Sequence, residues 1–211
     1  MGGSCDSEGI GGTAVNAFYI VREFERALSD YTHAPYVVAV NSCTSALFLC
    51  CQWLHVKQVT LPCRTYVSVP MAVRHAGGTV SFQAQPWYGS YQLWPYSIWD
   101  CAKRFTSKMY VPGTYQCVSF HTAKILSLGQ GGAILHDNQE ADGWFRRARY
   151  DGRTEELHPC NDHIHELGWH CYLSPDIAAQ GLWRMMYMPR DNHDQPMDDY
   201  PDLSQLPVFN K

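Results

Sequence analysis

The stretch YVVAVNSCTSAL, residues 36–47, decides the fold class of this chain. Its first five residues are apolar and mostly β-branched, which predicts a buried strand. The polar pair Asn41 and Ser42 then marks a turn, and the apolar spacing from Ala46 to Leu54 predicts an amphipathic helix. A strand that passes through a tight turn into a helix is the repeating unit of an α/β fold.

The same alternation continues on both sides of this stretch. Further helices are predicted at about residues 20–31, 67–75, 139–150 and 175–186, and further strands at about 59–61, 79–82, 97–100, 116–120 and 132–136. Because strands separated by helices favour parallel pairing, the expected fold is α/β, with three α-β-α layers and a mostly parallel sheet.

The length of 211 residues predicts one domain with appendages rather than several domains. We expect a single domain over residues 1–188, which begins with a Gly-rich arm at residues 1–19. Prolines recur in the last part of the chain, at Pro189, Pro196, Pro201 and Pro207. Because proline disfavours regular structure, residues 189–211 are predicted to form an extended, Pro-rich C-terminal tail.

Composition excludes several classes of function. With 45% hydrophobic and 17% charged residues, the chain is expected to fold. A net charge of −4 offers no basic surface for nucleic acid or an anionic membrane, so neither is an expected partner. Nine cysteines, an odd number in a mid-sized chain, favour reduced thiols. Since the sequence shows no signal peptide and no apolar run of about 18 residues, the expected location is the cytoplasm.

Two segments offer polar groups where strands are predicted to end. Residues 41–46, NSCTSA, place hydroxyls at the start of a helix, where free backbone N–H groups and the helix dipole favour an anion. The alternative is that Ser42 serves only as the N-cap of that helix. Asp100 follows the apolar pair Ile98 and Trp99 at a predicted sheet edge. A carboxylate there holds a cationic ring nitrogen or a metal, or else caps the next helix.

A lysine stands in a third segment, SFHTAKILSLGQGGAI, residues 119–134. Lys124 follows Ser119 by five residues in a mostly apolar neighbourhood, where desolvation lowers the pKa of an amine and makes it a nucleophile for a Schiff base. A solvated surface lysine is the alternative. Pyridoxal phosphate requires four supports. The sequence offers an anion site, a carboxylate, a reactive amine and, at Tyr66, an aromatic ring for stacking.

In order and spacing, six segments resemble the DegT/StrS-type sugar aminotransferases, pyridoxal-phosphate enzymes of fold type I in the aspartate-aminotransferase superfamily. The segments are VREFERALSDY, VAVNSCTSAL, LPCRTYVSV, IWDCAKRF, VSFHTAKILSLGQGGAI and ELGWHCYLSPDIAAQGL, within about residues 20 to 185. The resemblance implies the large domain of a fold type I pyridoxal-phosphate transferase and a homodimer with a shared active site. It also implies transfer of an amino group from an amino acid, expected to be glutamate, to a keto sugar carried by a nucleotide.

The resemblance assigns roles to individual residues by position. Lys124 is expected to form the internal aldimine with pyridoxal phosphate, and Asp100 to keep the pyridine nitrogen protonated. Tyr66 is expected to stack on the ring. The phosphate is expected to bind Thr44, Ser45 and Ser119.

The chain departs from the family at several positions. Lys103 stands where the family has Gln or His near the phenolic oxygen of the cofactor, and we expect its amine to pair with that oxygen. His170 and Tyr172 replace an asparagine and an arginine, and a neutral His170 can still donate a hydrogen bond to the phosphate in the partner subunit. Residues 83–96 are too few for the helix-and-strand unit that relatives insert there, so the sheet is expected to lack a strand. The C-terminal small domain of the family is also expected to be missing, which would make this a truncated form.

Other interpretations stay open at this point. A cofactor-binding remnant or structural homodimer without turnover is one, and a dehydratase or decarboxylase is another, although the dehydratase branch replaces the lysine by histidine. A zinc site is a third, because one segment holds the ligand-type residues His158, Cys160, His163, His165, His170 and Cys171. Their spacing matches no closed zinc pattern, so no metal is expected. The aromatic residues Trp87, Tyr88, Tyr91, Trp94 and Tyr96 either stack on a sugar or base, or pack over the missing unit.

Overall fold

The computed structural model describes residue 16 and residues 18–209. Five α-helices lie in the described part of the chain: α1 (Phe18–Thr32), α2 (Cys43–Trp53), α3 (Ser68–His75), α4 (Gln139–Ala148) and α5 (Pro175–Met185). Seven strands lie there: β1 (Tyr36–Val40), β2 (Gln58–Pro62), β3 (Thr79–Gln83), β4 (Tyr91–Gln92), β5 (Ile98–Asp100), β6 (Tyr115–Ser119) and β7 (Gly132–His136). The predicted Gly-rich arm falls almost entirely outside the described residues.

The strands form a five-stranded sheet and a two-stranded sheet. The larger has the order β1-β7-β6-β5-β4, and the smaller pairs β2 with β3. A backbone hydrogen bond of 2.8 Å from Thr60 N to Trp94 O joins β2 to the residues just after β4. The two sheets therefore lie next to each other, with β5 and β6 near the middle of the larger one.

Strand direction differs from the expected mostly parallel arrangement. The pairs β2–β3 and β5–β6 are parallel, whereas β1–β7, β6–β7 and β4–β5 are antiparallel. A parallel pair needs a crossover that carries the chain back along the sheet. Residues 120–131, between β6 and β7, contain no helix to serve as that crossover, so the chain turns and β7 runs the other way. The α/β fold class is confirmed, with a mixed sheet.

The expected gap in the sheet is filled by a short reversed strand. Residues 93–97 form a tight connection, which brings β4 back against β5 as an antiparallel partner. A hairpin needs only a few connecting residues, whereas a parallel strand at this position would need a dozen or more. The register pairs Tyr91 with Asp100, so the short strand delivers a phenol to the predicted cofactor acid.

The core has two halves on opposite faces of the larger sheet. Along β1, Val38 and Val40 belong to one hydrophobic cluster, whereas Val37 and Ala39 belong to the other. Since successive residues of a strand point to opposite faces, the clusters lie on the two sides of the sheet. Helices α2, α3 and α4 contribute to the first cluster, and α1 and α5 to the second. The three-layer arrangement predicted from the sequence is confirmed.

Helices α1 and α5 approach each other closely at a glycine. A Cβ atom placed on Gly181 would lie 2.5 Å from the ring of Phe24, which is fully buried in α1. Only a residue without a side chain permits this contact, so Gly181 sets the distance between the two helices.

A buried group of charges ties α1 to β1 and to the end of α4. Glu25 in α1 accepts a hydrogen bond from the backbone N–H of Ala39 at 2.8 Å and forms ion pairs with Arg146 and Arg149. Burial alone would raise the pKa of Glu25, but the two guanidinium groups and their hydrogen bonds lower it below its ordinary value. The carboxylate therefore stays ionised inside the protein.

The C-terminal residues return across the domain instead of leaving it. The N–H of Leu203 donates to Cys63 O at 2.8 Å, and the Leu203 side chain is fully buried. Two short 3₁₀ turns, Leu203–Gln205 and Pro207–Phe209, interrupt the otherwise extended path. The domain boundary at residue 188 stays a prediction.

In the described part of the chain, no helix combines the length and the apolar character needed to cross a membrane. The cytoplasmic location stays a prediction, as does the expectation that neither nucleic acid nor a membrane is a partner.

Candidate active site

A cavity of about 370 Å³ opens at the edge of the sheet where β5 and β6 end and α2 begins. Because β5 and β6 are parallel, their last residues, Asp100 and Ser119, arrive at the same edge. The polar and aromatic side chains that line the cavity include Ser42, Thr44, Tyr66, Ser68, Trp87, Asp100, Lys103, Ser119, His121, Lys124, Asp198 and Tyr200. Six of the eight residues predicted to bind the cofactor are among them.

Asp100 is held in a fixed position on the cavity floor. Its side chain is almost fully buried, with Oδ1 accepting from the N–H of Ala102 at 2.9 Å and Oδ2 from the hydroxyl of Tyr91 at 2.8 Å. Burial raises the pKa of Asp100, while these two hydrogen bonds and the charge of Lys124 act in the opposite direction. A carboxylate that is short of counter-charge is suited to a cationic partner in the cavity.

Lys124 lies in the loop between β6 and β7 and lines the same cavity, half-buried. Burial lowers the pKa of its amine, and the nearby charge of Lys103 lowers it further, whereas Asp100 acts in the opposite direction. The interpretation as a freely solvated surface lysine therefore does not fit. A larger share of neutral amine at a given pH makes Lys124 a better nucleophile.

The start of α2 provides hydroxyls and a helix N-terminus. Ser42 is both the N-cap and a cavity residue, since its Oγ accepts from Ser45 N at 3.1 Å. The hydroxyls of Thr44 and Ser68 lie 2.7 Å apart on the cavity wall, and Ser119 completes the polar rim. Free N–H groups and hydroxyls in this arrangement suit an anion.

Two predicted cofactor residues do not line this cavity. The Ser45 hydroxyl donates to Asn41 Oδ1 at 2.7 Å and lies outside the cavity, whereas Ser68, which was not predicted, lines it. His170 is exposed elsewhere, with its Nδ1 2.8 Å from Asp151 Oδ2. The role of His170 in the phosphate site of a partner subunit stays a prediction.

The mouth of the cavity is aromatic. Tyr66 is 58% exposed, and its ring centroid lies 6.2 Å from that of Tyr200. Trp87 also lines the cavity and packs on Tyr91 at 4.8 Å between ring centroids. Of the predicted aromatic cluster, Trp87 reaches the cavity, whereas Trp94 and Tyr88 do not line it.

Two residues of the wall come from the C-terminal part of the chain and were not predicted. Lys103 Nζ donates to Asp198 Oδ1 at 2.7 Å, and Tyr200 lies beside Tyr66. The sequence carries no local signal for these contacts, because they join residues 95 and more than 130 positions apart.

The segment considered for zinc does not gather its side chains. His158 Nδ1 lies 2.9 Å from Cys160 Sγ. Across residue 16 and residues 18–209, no group of three or more His, Cys, Asp or Glu side chains is arranged to hold a metal ion.

Comparison with solved structures defines the class of fold. AtS13 from Actinomadura melliaura is 20% identical with a TM-score of 0.71, the alignment covering 80% of this chain and 60% of that one. DesV from S. venezuelae, solved with a ketimine intermediate, is 17% identical with a TM-score of 0.67, covering 80% of this chain and 57% of that one. The PLP form of the putative sugar aminotransferase Spr1654 from Streptococcus pneumoniae is 21% identical with a TM-score of 0.65, covering 81% and 59%. The fold is that of the type I pyridoxal-phosphate transferases, and this chain spans about 60% of the length of these structures.

The family follows from the sequence match. The chain belongs to the DegT/DnrJ/EryC1/StrS aminotransferase family, whose model matches residues 12–86 and 100–195. The resemblance derived from the six segments is thereby confirmed. The unmatched interval, residues 87–99, contains the short reversed strand β4. No curated protein sequence matches the chain.

Proposed function

We propose that this chain binds pyridoxal phosphate in the cavity and transfers an amino group from an amino acid to a keto sugar. Glutamate is the proposed donor and a nucleotide-linked keto sugar the proposed acceptor. The observation that carries the proposal is the presence of Lys124 and Asp100 in one cavity, beside the hydroxyl-bearing start of α2. The membership of an aminotransferase family supports the reaction class.

The donor set of the cavity fits the cofactor. A ring cation needs a buried carboxylate, and Asp100 is one whose pKa is raised by burial and which a nearby cation would hold ionised. A phosphate needs hydroxyls and free N–H groups, which Thr44, Ser68 and Ser119 offer beside the N-terminus of α2. An aldehyde needs an amine with a lowered pKa, which is Lys124.

When bound, pyridoxal phosphate supplies an electron sink for negative charge that develops on the amino-bearing carbon of the substrate. Asp100 would hold the ring nitrogen, with its own position fixed by two hydrogen bonds. Lys124 would hold the cofactor aldehyde, and its free amine would move a proton to or from the substrate carbon. Lys103, on the same wall beside Asp198, would offer a second cation to the phenolic oxygen.

We further propose a homodimer with shared sites, in which Ser45 and His170 take the phosphate roles that the family resemblance implies. Exposed large apolar side chains support a subunit contact, with Leu167 at 85%, Met186 at 74% and Tyr187 at 69% exposure. Sedimentation equilibrium tests the dimer, with a molecular mass near twice 24.0 kDa as the expected result. A mass that stays near 24.0 kDa over all concentrations would contradict it.

The covalent link tests the cofactor part of the proposal. Purified protein incubated with pyridoxal phosphate is expected to gain an absorption band that borohydride abolishes, and peptide mapping is expected to place the reduced adduct on Lys124. Lys124→Ala should lose the adduct. Lys57→Ala, at an exposed lysine outside the cavity, should keep it. An adduct that survives Lys124→Ala would contradict the proposal.

Amino transfer is tested separately, with glutamate as donor and a panel of nucleotide-linked keto sugars as acceptors. Formation of 2-oxoglutarate together with an amino sugar is the expected result. Loading of the cofactor without transfer to any acceptor would instead support the cofactor-binding remnant without turnover.

A further inference from the structure

Residues 194–200, here called the wall segment, contribute the side chains of Asp198 and Tyr200 to the cavity wall and are fastened at both ends. At one end, Arg104 donates to both carboxylate oxygens of Asp194, and Gln195 N donates to Lys103 O at 2.8 Å. At the other end, Nη1 of Arg64 donates to the backbone oxygen of Tyr200 at 2.7 Å. The wall segment is therefore a built part of the cavity.

Inside this wall, a buried ammonium has a carboxylate as its partner. The Lys103 side chain is only 7% exposed, and its Nζ lies 2.7 Å from Asp198 Oδ1. The second oxygen of Asp198 accepts from the Tyr200 hydroxyl at 2.8 Å. Since both oxygens have donors, the carboxylate is fixed rather than free to rotate, and these two hydrogen bonds hold the pKa of Asp198 below its ordinary value.

We propose that Asp198 is a positioning residue of the active site, which holds the Lys103 ammonium on the cavity wall and neutralises it beside Lys124. A buried ammonium without a counter-ion either moves towards water or repels neighbouring cations. Its significance for amino transfer rests on the proposed function, but the ion pair itself is present in the protein alone.

The proposal predicts how Lys124 titrates. Asp100, Cys43 and Asp198 raise the pKa of the Lys124 amine, and Lys103 lowers it. His121 and Tyr200 line the same cavity. Without the Asp198 carboxylate, the charge of Lys103 is no longer balanced, so the pKa of Lys124 falls. Without Lys103, it rises.

The test is an NMR titration of the cofactor-free protein, reductively methylated with ¹³C-formaldehyde. The sequence has five lysines, so Lys→Arg variants assign every resonance. Asp198→Asn is expected to lower the Lys124 midpoint by about half a pH unit or more, and Lys103→Gln to raise it. In the Lys103→Gln background, Asp198→Asn should lower the Lys124 midpoint by less than it does in the wild type, because only the direct attraction between Asp198 and the Lys124 amine is then lost.

Three further variants separate positioning from simple attachment of the wall segment. Asp199→Asn removes the same charge from an exposed neighbour and should leave the midpoint unchanged. Asp194→Asn loosens the wall segment at Arg104 without touching the Lys103–Asp198 pair, and should also leave it unchanged. Asp198→Glu keeps the carboxylate, so the Lys124 midpoint should stay close to that of the wild type.

An unchanged Lys124 midpoint in Asp198→Asn, or an equal shift in Asp194→Asn, would overturn the proposal. Should Asp198→Asn not fold, equal midpoints in the wild type and in Lys103→Gln would overturn it as well. The outcome is independent of the borohydride experiment. A protein that takes up no cofactor but shows these shifts would contradict the proposed function and keep the positioning role.

Discussion

Tyr91→Phe removes one hydroxyl from the fully enclosed contact with Asp100, and its effect on stability should depend on pH. The Tyr91 hydroxyl donates to Asp100 Oδ2 at 2.8 Å, and both side chains are buried. A hydrogen bond to a charged group contributes about 1.5–3 kcal/mol. Because one pKa unit corresponds to about 1.4 kcal/mol, its loss should raise the pKa of Asp100 by about one to two units.

The sign of the pH dependence follows from this shift. The pKa of Asp100 is already above its ordinary value of 3.8 in the folded protein, and the variant raises it further. The extra cost of about 1.5–3 kcal/mol is therefore fully present above the pKa of the variant. It disappears as the pH falls through the pKa of the wild type, because Asp100 is then protonated in both proteins.

Urea unfolding at a series of pH values measures this difference, and the ¹³C carboxyl shift of Asp100, assigned with Asp100→Asn, measures its pKa directly. Thr65→Val is the matched control, since the Thr65 hydroxyl lies 2.5 Å from that of Tyr91 but does not touch the carboxylate. Its cost should be nearly independent of pH. A Tyr91→Phe cost that is the same at all pH values would show that Tyr91 acts by packing alone.

Three more variants test the scaffold around the site. Glu25→Gln leaves the buried Arg149 without its main counter-charge and should cost about 3–5 kcal/mol in urea unfolding. The pKa of Glu25 is lower in the folded protein than its ordinary value of 4.5, so the wild type should lose stability as the pH falls from 4.5 through the folded pKa. The variant should lack this loss. Gly181→Ala should cost about 1–3 kcal/mol, since its Cβ would meet an aromatic ring at 2.5 Å, whereas Gly143→Ala, with 3.5 Å to its nearest neighbour, should be neutral or stabilising. Leu203→Ala should lower the free energy of local opening of the C-terminal residues by about 2–5 kcal/mol. Amide exchange should then be faster there, with little change in the sheet. Slower or unchanged exchange would contradict this.

The sequence predicted the elements that local pattern controls. The strand, turn and helix over residues 36–53 follow directly from apolar spacing, and so does the position of Asp100 at a strand end. Strand β4 was not predicted, because its pairing depends on how few residues connect it to β5. Residues 83–96 either contain a turn that forms a hairpin or leave the sheet one strand short. Their composition does not distinguish these two outcomes.

The position of Ser45 outside the cavity has a geometric cause. Consecutive residues at the start of a helix are rotated by about 100°, so Thr44 faces the cavity while Ser45 faces Asn41. A run of hydroxyl residues does not reveal which member faces a ligand until the rotation of the helix is known. Asp198 was missed for another reason, since its contact with Lys103 depends on the return path of a proline-rich segment, for which no periodic signal exists.

The charges of the cavity explain why hydroxyls, rather than cations, should govern the binding of an anion. Two carboxylates, Asp100 and Asp198, face two amines, Lys103 and Lys124, so the wall is close to neutral when both amines are protonated and negative when Lys124 loses its proton. Net charge therefore offers an incoming phosphate little attraction. What remains is directional: the dipole at the N-terminus of α2 and the paired hydroxyls of Thr44 and Ser68. A cavity built in this way keeps the amine of Lys124 reactive, because it does not need that amine as a counter-ion for the phosphate.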